Sequence, residues 1–372
     1  MEKNTLPESN TSANRLLSLD AFRGFTIAAM IIVNNPGSWS FVYPPLLHAE
    51  WHGITPTDLI FPFFLFIVGV SIALAYSRQL AAGREPSSMV AKILKRSLYI
   101  FLLGLFLNLF PFFDFGNLRI PGVLQRIAIV FLVCALLFLY TSWKSQAFIG
   151  AGLLLLYWLV FVWIPVPGVG VANLEPGTNI AAWLDSLLIP GNLYQGNWDP
   201  EGLLSTLPSI VSGISGMLVG ILFTKGYHHD RLTIWLFVSG FIAFVSGSVW
   251  DWFFPLNKNL WTSSFVLYTS GLAAMTLAFF YFVIDVLGHK RWTKVGLIFG
   301  ANAITAYVLS GMLARLITIK IGDQSIKSAM LSWLDNSWLA PQFVSLIWAL
   351  FYCTVCFIPV YILYKKRIFI KV

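Results

Sequence analysis

A bundle of helices that crosses a lipid bilayer about ten times is the fold class the sequence predicts. Three observations carry it. Of 372 residues, 58% are hydrophobic and only 11% are charged, whereas a soluble domain carries about 25% charged residues. The mean hydropathy is +0.76. Apolar runs of about 20 residues, enough to cross a hydrocarbon core of about 30 Å, recur from Ala21 to the C-terminus. In lipid only helices or closed barrels satisfy their own backbone polar groups, and the short alternating strands of a barrel are not visible in the sequence. The expected class is therefore all-α and polytopic.

The runs place spans at 16–36, 57–77, 91–110, 121–140, 146–164, 204–223, 232–250, 262–284, 296–318 and 341–364. Residues 1–15 read as a disordered polar N-terminus, and 16–372 as a single transmembrane domain. No small-residue cleavage site follows a short apolar core, so the first helix reads as retained.

The connections divide by charge. One set carries Lys3, Arg15, Arg78, Arg84, Lys92, Lys95, Arg96, Lys144, Lys225, Arg231, Lys290, Arg291, Lys294, Lys365, Lys366, Arg367 and Lys371, while the other carries only Arg119, Lys258, Lys320 and Lys327. Short cytoplasmic loops collect Lys and Arg, so both termini are expected in the cytoplasm. The formal charge of +8 then follows from topology and from attraction to anionic lipid, with no nucleic-acid partner needed. Cys353 and Cys356 form a C-x-x-C inside an apolar helix, which reads as two small buried residues rather than a redox or metal site. No metal is expected.

Polar side chains inside such a chain call for explanation, since an ionised group near the bilayer centre costs about 2.5–3.5 kcal/mol on insertion scales. Asp20 and Arg23 lie three apart on the first helix, as an interfacial ion pair or as ligands of a substrate and of a donor anion. Asn34 precedes a long loop that carries His48, Trp51 and His52, and Asp58 follows at the mouth of the second helix. Asp58 could simply cap that helix. Alternatively, an imidazole beside a carboxylate, with an amide to bind a developing oxyanion, can run an acyl transfer. Arg126, inside the fourth span, is a candidate for binding an anion or for pairing with Asp58 or Asp114. The polar run from Asn257 through Asn259 and Trp261 to Ser264 opens the eighth span. Trp261 and Trp51 are interfacial tryptophans or platforms for a sugar ring.

These residues sit in segments that resemble the transmembrane heparan-α-glucosaminide N-acetyltransferase family. The likeness runs through R-L-L-S-L-D-A-F-R-G-F from Arg15, V-N-N from Val33, H-A-E-W-H-G-I-T-P-T-D-L-I-F-P-F-F from His48, R-I-P-G-V-L-Q-R-I from Arg119, Y-Q-G-N-W-D-P-E-G-L-L-S-T from Tyr194, P-L-N-K-N-L-W-T-S-S from Pro255 and Y-K-K-R-I-F from Tyr364. The resemblance implies a bacterial-type member without a luminal N-terminal domain, set in an inner membrane. It implies His48 as the catalytic residue, with Asn34 and Asp58 as its polar partners. It implies acetyl-CoA as the donor, loaded from the cytoplasm, and a terminal glucosamine or related oligosaccharide as the acceptor on the outer side. Arg23, Arg126 and Asn259 are then candidates for the donor, and Trp51, Trp261 and Asp20 for the acceptor. A homodimer is raised by the family alone. Two other functions fit the same topology. An O-acetyltransferase of surface polysaccharide differs in its acceptor, and a transporter would ignore acetyl-CoA.

Overall fold

The computed structural model describes residues 16–335 and 338–370. The expected N-terminal tail therefore lies outside the described residues. Ten long apolar runs become helices: α1 (Leu17–Asn34), α2 (Ile60–Ala81), α3 (Pro86–Leu109), α4 (Val123–Tyr140), α5 (Trp143–Trp163), a short α6 (Ile180–Leu188), α7 (Leu203–Phe223), α8 (His229–Trp250), α9 (Ser263–Phe280), the pair α10 (Lys294–Ala301) and α11 (Ala303–Thr318), a short α12 (Ile326–Asp335) and α13 (Pro341–Lys365). Among the described residues eight helices are long and apolar enough to cross a membrane, and the pair α10–α11 makes a ninth if it is one broken span. The run at 91–110 forms α3, which is long enough but carries Lys92, Lys95 and Arg96. The chain is an integral, multi-pass, all-helical membrane protein.

Two elements depart from the sequence reading. The span at 296–318 is not continuous but bends by 73° at Asn302. The Asn302 carboxamide is turned to the C-terminal segment, donating to Ile368 O at 3.1 Å and accepting from Ile370 N at 2.9 Å, and φ at Asn302 is −130°, outside helical values. The connection between the spans at 146–164 and 204–223 holds a helix outside the expected spans, α6, which Asn179 caps by accepting from Ala182 N at 3.0 Å.

Small residues bring the helix backbones together. In lipid the association of helices depends on close packing rather than on a hydrophobic drive, and α2 meets α7 through Gly69, Gly213, Gly216 and Gly220. A Cβ on Gly216 would overlap the carbonyl of Phe66, and one on Gly69 would overlap that of Gly213. Gly240, Gly247 and Gly271 join α8 to α9 in the same way, and Gly24 and Gly300 join α1 to α10. Around the α2–α7 seam, Leu65, Val130, Cys134, Ile214, Met217 and Phe265 are buried together. Cys353 and Cys356 are free thiols in the wall of α13.

The seam makes a stability prediction. Gly216→Ala should destabilise the protein by about 1–3 kcal/mol through overpacking, whereas Gly152→Ala on α5, where a Cβ meets nothing within 4 Å, should be neutral or slightly stabilising. Thermal unfolding of the two variants in one detergent checks this, and equal melting temperatures would refute the seam.

Candidate functional site

The second long helix begins with a capping device. Thr55 is followed by Pro56 at the first position of a one-turn 3-10 segment, Pro56–Leu59, and by Asp58 at the third. Proline suits that first position because its missing N–H would find no partner in any case. Asp58 Oδ2 accepts from Thr55 N at 3.0 Å and from Ala49 N at 3.0 Å, with the Thr55 hydroxyl at 3.1 Å. This leaves Oδ1 for another task. It receives His48 Nδ1 at 2.7 Å. An ionised carboxylate only accepts, so His48 donates to it from Nδ1. The two readings of Asp58 from sequence, cap and imidazole partner, are both satisfied, one by each oxygen.

Lys258 completes the arrangement from 210 residues away. Its Nζ lies 3.0 Å from His48 Nδ1, 3.1 Å from Nε2 and 3.7 Å from Asp58 Oδ1. The in-plane directions of the two ring nitrogens diverge, so a point that close to both sits over the face of the imidazole. The Lys258 side chain is only 20% exposed. Burial lowers its pKa, against the opposing pull of Asp58 and Glu201. Its loop is fixed by Asn257, which accepts from Leu260 N at 2.8 Å and bonds through its own N–H to Thr262 Oγ1 at 3.1 Å.

His48, Asn34, Lys258, Asn259, Arg119 and Glu201 all line one chamber of about 300 Å³. Arg119 is held by Asp199, with Nε to Oδ2 at 2.7 Å and Nη2 to Oδ1 at 2.6 Å, and shares Nη2 with Glu201 Oε2 at 2.6 Å. Burial alone would lower the Arg119 pKa, but the two carboxylates outweigh it and raise it. Asp199 is likewise kept low by Arg119 despite its burial. Tyr194 lays its ring over the Arg119 guanidinium, 5.0 Å from centroid to carbon.

A larger chamber of about 870 Å³ lies at the end of the bundle where α1 starts and α2 gives way to α3. Arg23, Lys92 and Arg96 line it, and no acid stands among its described lining residues. Arg23 pairs with Asp20 at 3.1 Å and donates to Ser71 Oγ at 2.8 Å. Phe64, Ile127 and Ile304 line both chambers, so the two share an apolar boundary, the collar.

Of the residues singled out in sequence, His48 and Asp58 are in contact, Asn34 and Asn259 line the same chamber as His48, and Arg23 lines the basic chamber. Four do not stand where the sequence reading put them. Asp20 is about 21 Å along α1 from Asn34, at 1.5 Å per residue, and belongs to the end with Arg23 rather than to an acceptor near His48. Trp261 is 1% exposed; Arg126 covers its ring at 5.2 Å, Phe61 and Phe265 meet its edges, and its N–H goes to Ser212 at 3.1 Å, which leaves no face for a sugar. Trp51 is half-buried, with its N–H donated to Leu174 O at 2.9 Å and its ring against Trp198, so it fastens two loops together. Arg126 pairs with neither Asp58 nor Asp114: it is 1% exposed, bonds to Ser205 Oγ and to Gly202 O at 3.2 Å, and lines neither of these chambers. Conversely, Lys258, Arg119, Glu201 and Tyr194 face the first chamber without having been singled out. Their available signal was the isolation of Arg119 and Lys258 in loops otherwise poor in cations.

Comparison with known proteins agrees with the motifs. Residues 15–190 match the family model described as heparan-alpha-glucosaminide N-acetyltransferase, catalytic. The chain is 31% identical to a heparan-alpha-glucosaminide N-acetyltransferase of Mus musculus over 98% of its own length and 62% of that protein's. It is 33% identical to the Homo sapiens protein of the same name over 79% of its own length and 52% of the relative's. The chain thus spans between about half and three-fifths of the curated relatives it matches. The matched segments carry His48, Asp58 and their loop, and over them the chain is similar in sequence to the heparan-alpha-glucosaminide N-acetyltransferases.

Proposed function

We propose that the protein transfers an acetyl group from acetyl-CoA to the amine of a terminal glucosamine or related amino sugar, through His48. The observation that carries this reading is the imidazole itself, fixed by Asp58 through Nδ1 in the wall of a chamber. The relatives' name supplies the acyl group and the kind of acceptor. The donor is placed at the basic end. There Arg23, Lys92 and Arg96 offer charge to the phosphates of a nucleotide-bearing thioester, and the collar leads its acyl end to His48. The Lys- and Arg-rich loops at that end support a cytoplasmic donor side and an acceptor on the other face, in a membrane of bacterial inner type.

The chemistry follows from atom positions. Nε2 attacks the thioester carbonyl, the carbon–sulfur bond breaks, and CoA leaves as a thiolate that takes up a proton. The acetyl group then rests on Nε2 as an acyl-imidazole, a good leaving group for the next attack. Asp58 stabilises the positive charge that develops on the ring. The Lys258 ammonium and the Asn34 carboxamide, both lining the chamber, are placed to receive the oxyanion of the tetrahedral intermediate. The amine of the sugar attacks the acetyl carbon, the N–C bond to His48 breaks, and the amine gives up a proton to solvent by way of Nε2, which offsets the proton taken up by the CoA thiolate and leaves the ring neutral for the next cycle. Each half-reaction needs the same nitrogen, the one that Asp58 does not hold.

Transfer of labelled acetyl from acetyl-CoA to glucosamine by the purified protein is the direct test, with N-acetylglucosamine as the hydroxyl acceptor alongside. His48→Ala should lose transfer by about 10³-fold or more while melting like the parent. An unchanged rate would remove the site, and preference for N-acetylglucosamine would turn the reading to O-transfer. Release of CoA before any acceptor is added, with label trapped on His48, is the expected sign of the acyl-imidazole; acceptor-dependent release would make His48 a general base instead.

Two substitutions separate the chambers. Asp58→Asn should cut kcat by about 10²–10⁴-fold, because it no longer holds the reactive tautomer. Arg96→Gln should act mainly on the KM for acetyl-CoA, raising it by about ten-fold for a lost phosphate contact. Steady-state kinetics with each substrate varied distinguishes them, and a kcat effect confined to Arg96→Gln would misplace the donor.

A further inference from the structure

The carboxylates around the first chamber are not equally engaged. Lys258 stands against Asp58 at 3.7 Å, and Arg119 is bound along one edge by Asp199. Glu201 shares that guanidinium, already engaged by Asp199, and its side chain is 13% exposed in the wall of the chamber. Only Oε2 is engaged, by Arg119 at 2.6 Å; Oε1 has no hydrogen-bond partner among the described residues. The wall of the chamber therefore includes one carboxylate oxygen without a partner of its own.

A partly desolvated carboxylate with a free oxygen is matched by a cation that brings N–H donors. Next to it, Tyr194, a residue 63% exposed, lines the same chamber; one face of its ring lies over Arg119, and the other is a surface on which the C–H face of a pyranose can rest. Since Trp261 is closed and Trp51 is occupied, this ring takes over the role that the sequence reading gave to tryptophan.

We propose that Glu201 receives the ammonium of the acceptor amino sugar, and so sets the preference of the site for an amine over a hydroxyl. The inference rests on the acetyl-transfer reading for the identity of the ligand, but not on transfer for its test. It also gives the Arg119–Asp199 pair a purpose: the pair fixes Oε2, so that Oε1 is held at one place in the chamber. A neutral sugar with a hydroxyl in place of the amine leaves that carboxylate without its counter-charge. The site discriminates by that difference.

The experiment is a saturation-transfer NMR titration of the purified protein with glucosamine and, separately, with glucose, below the pKa of the amine. Glucosamine should half-saturate at a concentration about ten-fold or more below that of glucose, as expected for a charge-assisted contact. Glu201→Gln should bring the two curves together, and Glu201→Asp should keep their order. Equal binding of the two sugars by the unsubstituted protein, or a preference that survives in folded Glu201→Gln, overturns the proposal. The unsubstituted protein and Glu201→Asp decide the matter if Glu201→Gln does not fold. Absence of acetyl transfer with the glucosamine preference intact would sink the proposed function and leave the ammonium site standing. Transfer with the preference unaffected by Glu201→Gln would do the reverse.

Discussion

Asp58 divides one carboxylate between the start of a helix and the orientation of an imidazole, and the site depends on that division. Oδ2 closes the capping box with Thr55, while Oδ1 holds His48 Nδ1 at 2.7 Å. A carboxylate that is 1% exposed would be costly without partners, and here every contact that compensates it also builds the site. The Ala49 and Thr55 amides fix the loop, His48 gains its tautomer, and Lys258 is drawn over the ring. Because Asp58 sits in the turn that opens α2, and α2 lies against α7 without room for a Cβ, the imidazole is referred to a rigid wall. A loop histidine thereby acquires the positional precision of a helix.

How much of this was legible in the sequence depends on the range of the interaction. The helices could be read because a span of about 20 apolar residues needs no knowledge of its neighbours. The bend at Asn302 could not, since hydropathy averages over a window, and the cause of the bend is a carboxamide bonded to Ile368 and Ile370, 66 and 68 residues on. His48 and Asp58, ten residues apart, share one loop and its turn, so local chemistry suggested their meeting. Lys258 reaches them across the chain, and no local pattern foretells that. Trp261 shows the opposite error. A tryptophan at a span's entrance is expected at the interface, but here the backbone turns through φ +55° and Arg126 and Phe61 cover the ring.

The rule of charge asymmetry was more informative than its use for topology suggested. Four cations stood on the side that should have few: Arg119, Lys258, Lys320 and Lys327. Two of them line the chamber of His48. Lys327 has a structural task, donating to Pro36 O at 2.9 Å. Exceptions to a distribution driven by lipid and membrane potential are retained only where something local compensates them. For Arg119 that is Asp199 and Glu201, and for Lys258 it is Asp58.

The two chambers then differ in lining charge as well as in size. The larger is lined by three cations and by no acid among its described lining residues, with Asp20 facing Arg23 beside it; the smaller sets the carboxylate of Glu201 beside Arg119 and Lys258. Between them stand Phe64, Ile127 and Ile304, which offer no hydrogen bonds and no charge to anything that passes. For the proposed reaction this is a consistent division, because the donor is an anion, the acceptor is a cation, and neither has to cross the collar. What crosses is the acetyl group at the end of a slender thioester arm. That group is uncharged, and an apolar constriction costs it little desolvation. A phosphate or an ammonium forced into the same place would lose its hydration with no partner in return. The collar can therefore keep the two substrates at their own ends while His48, just beyond it, hands over the one fragment that both must share.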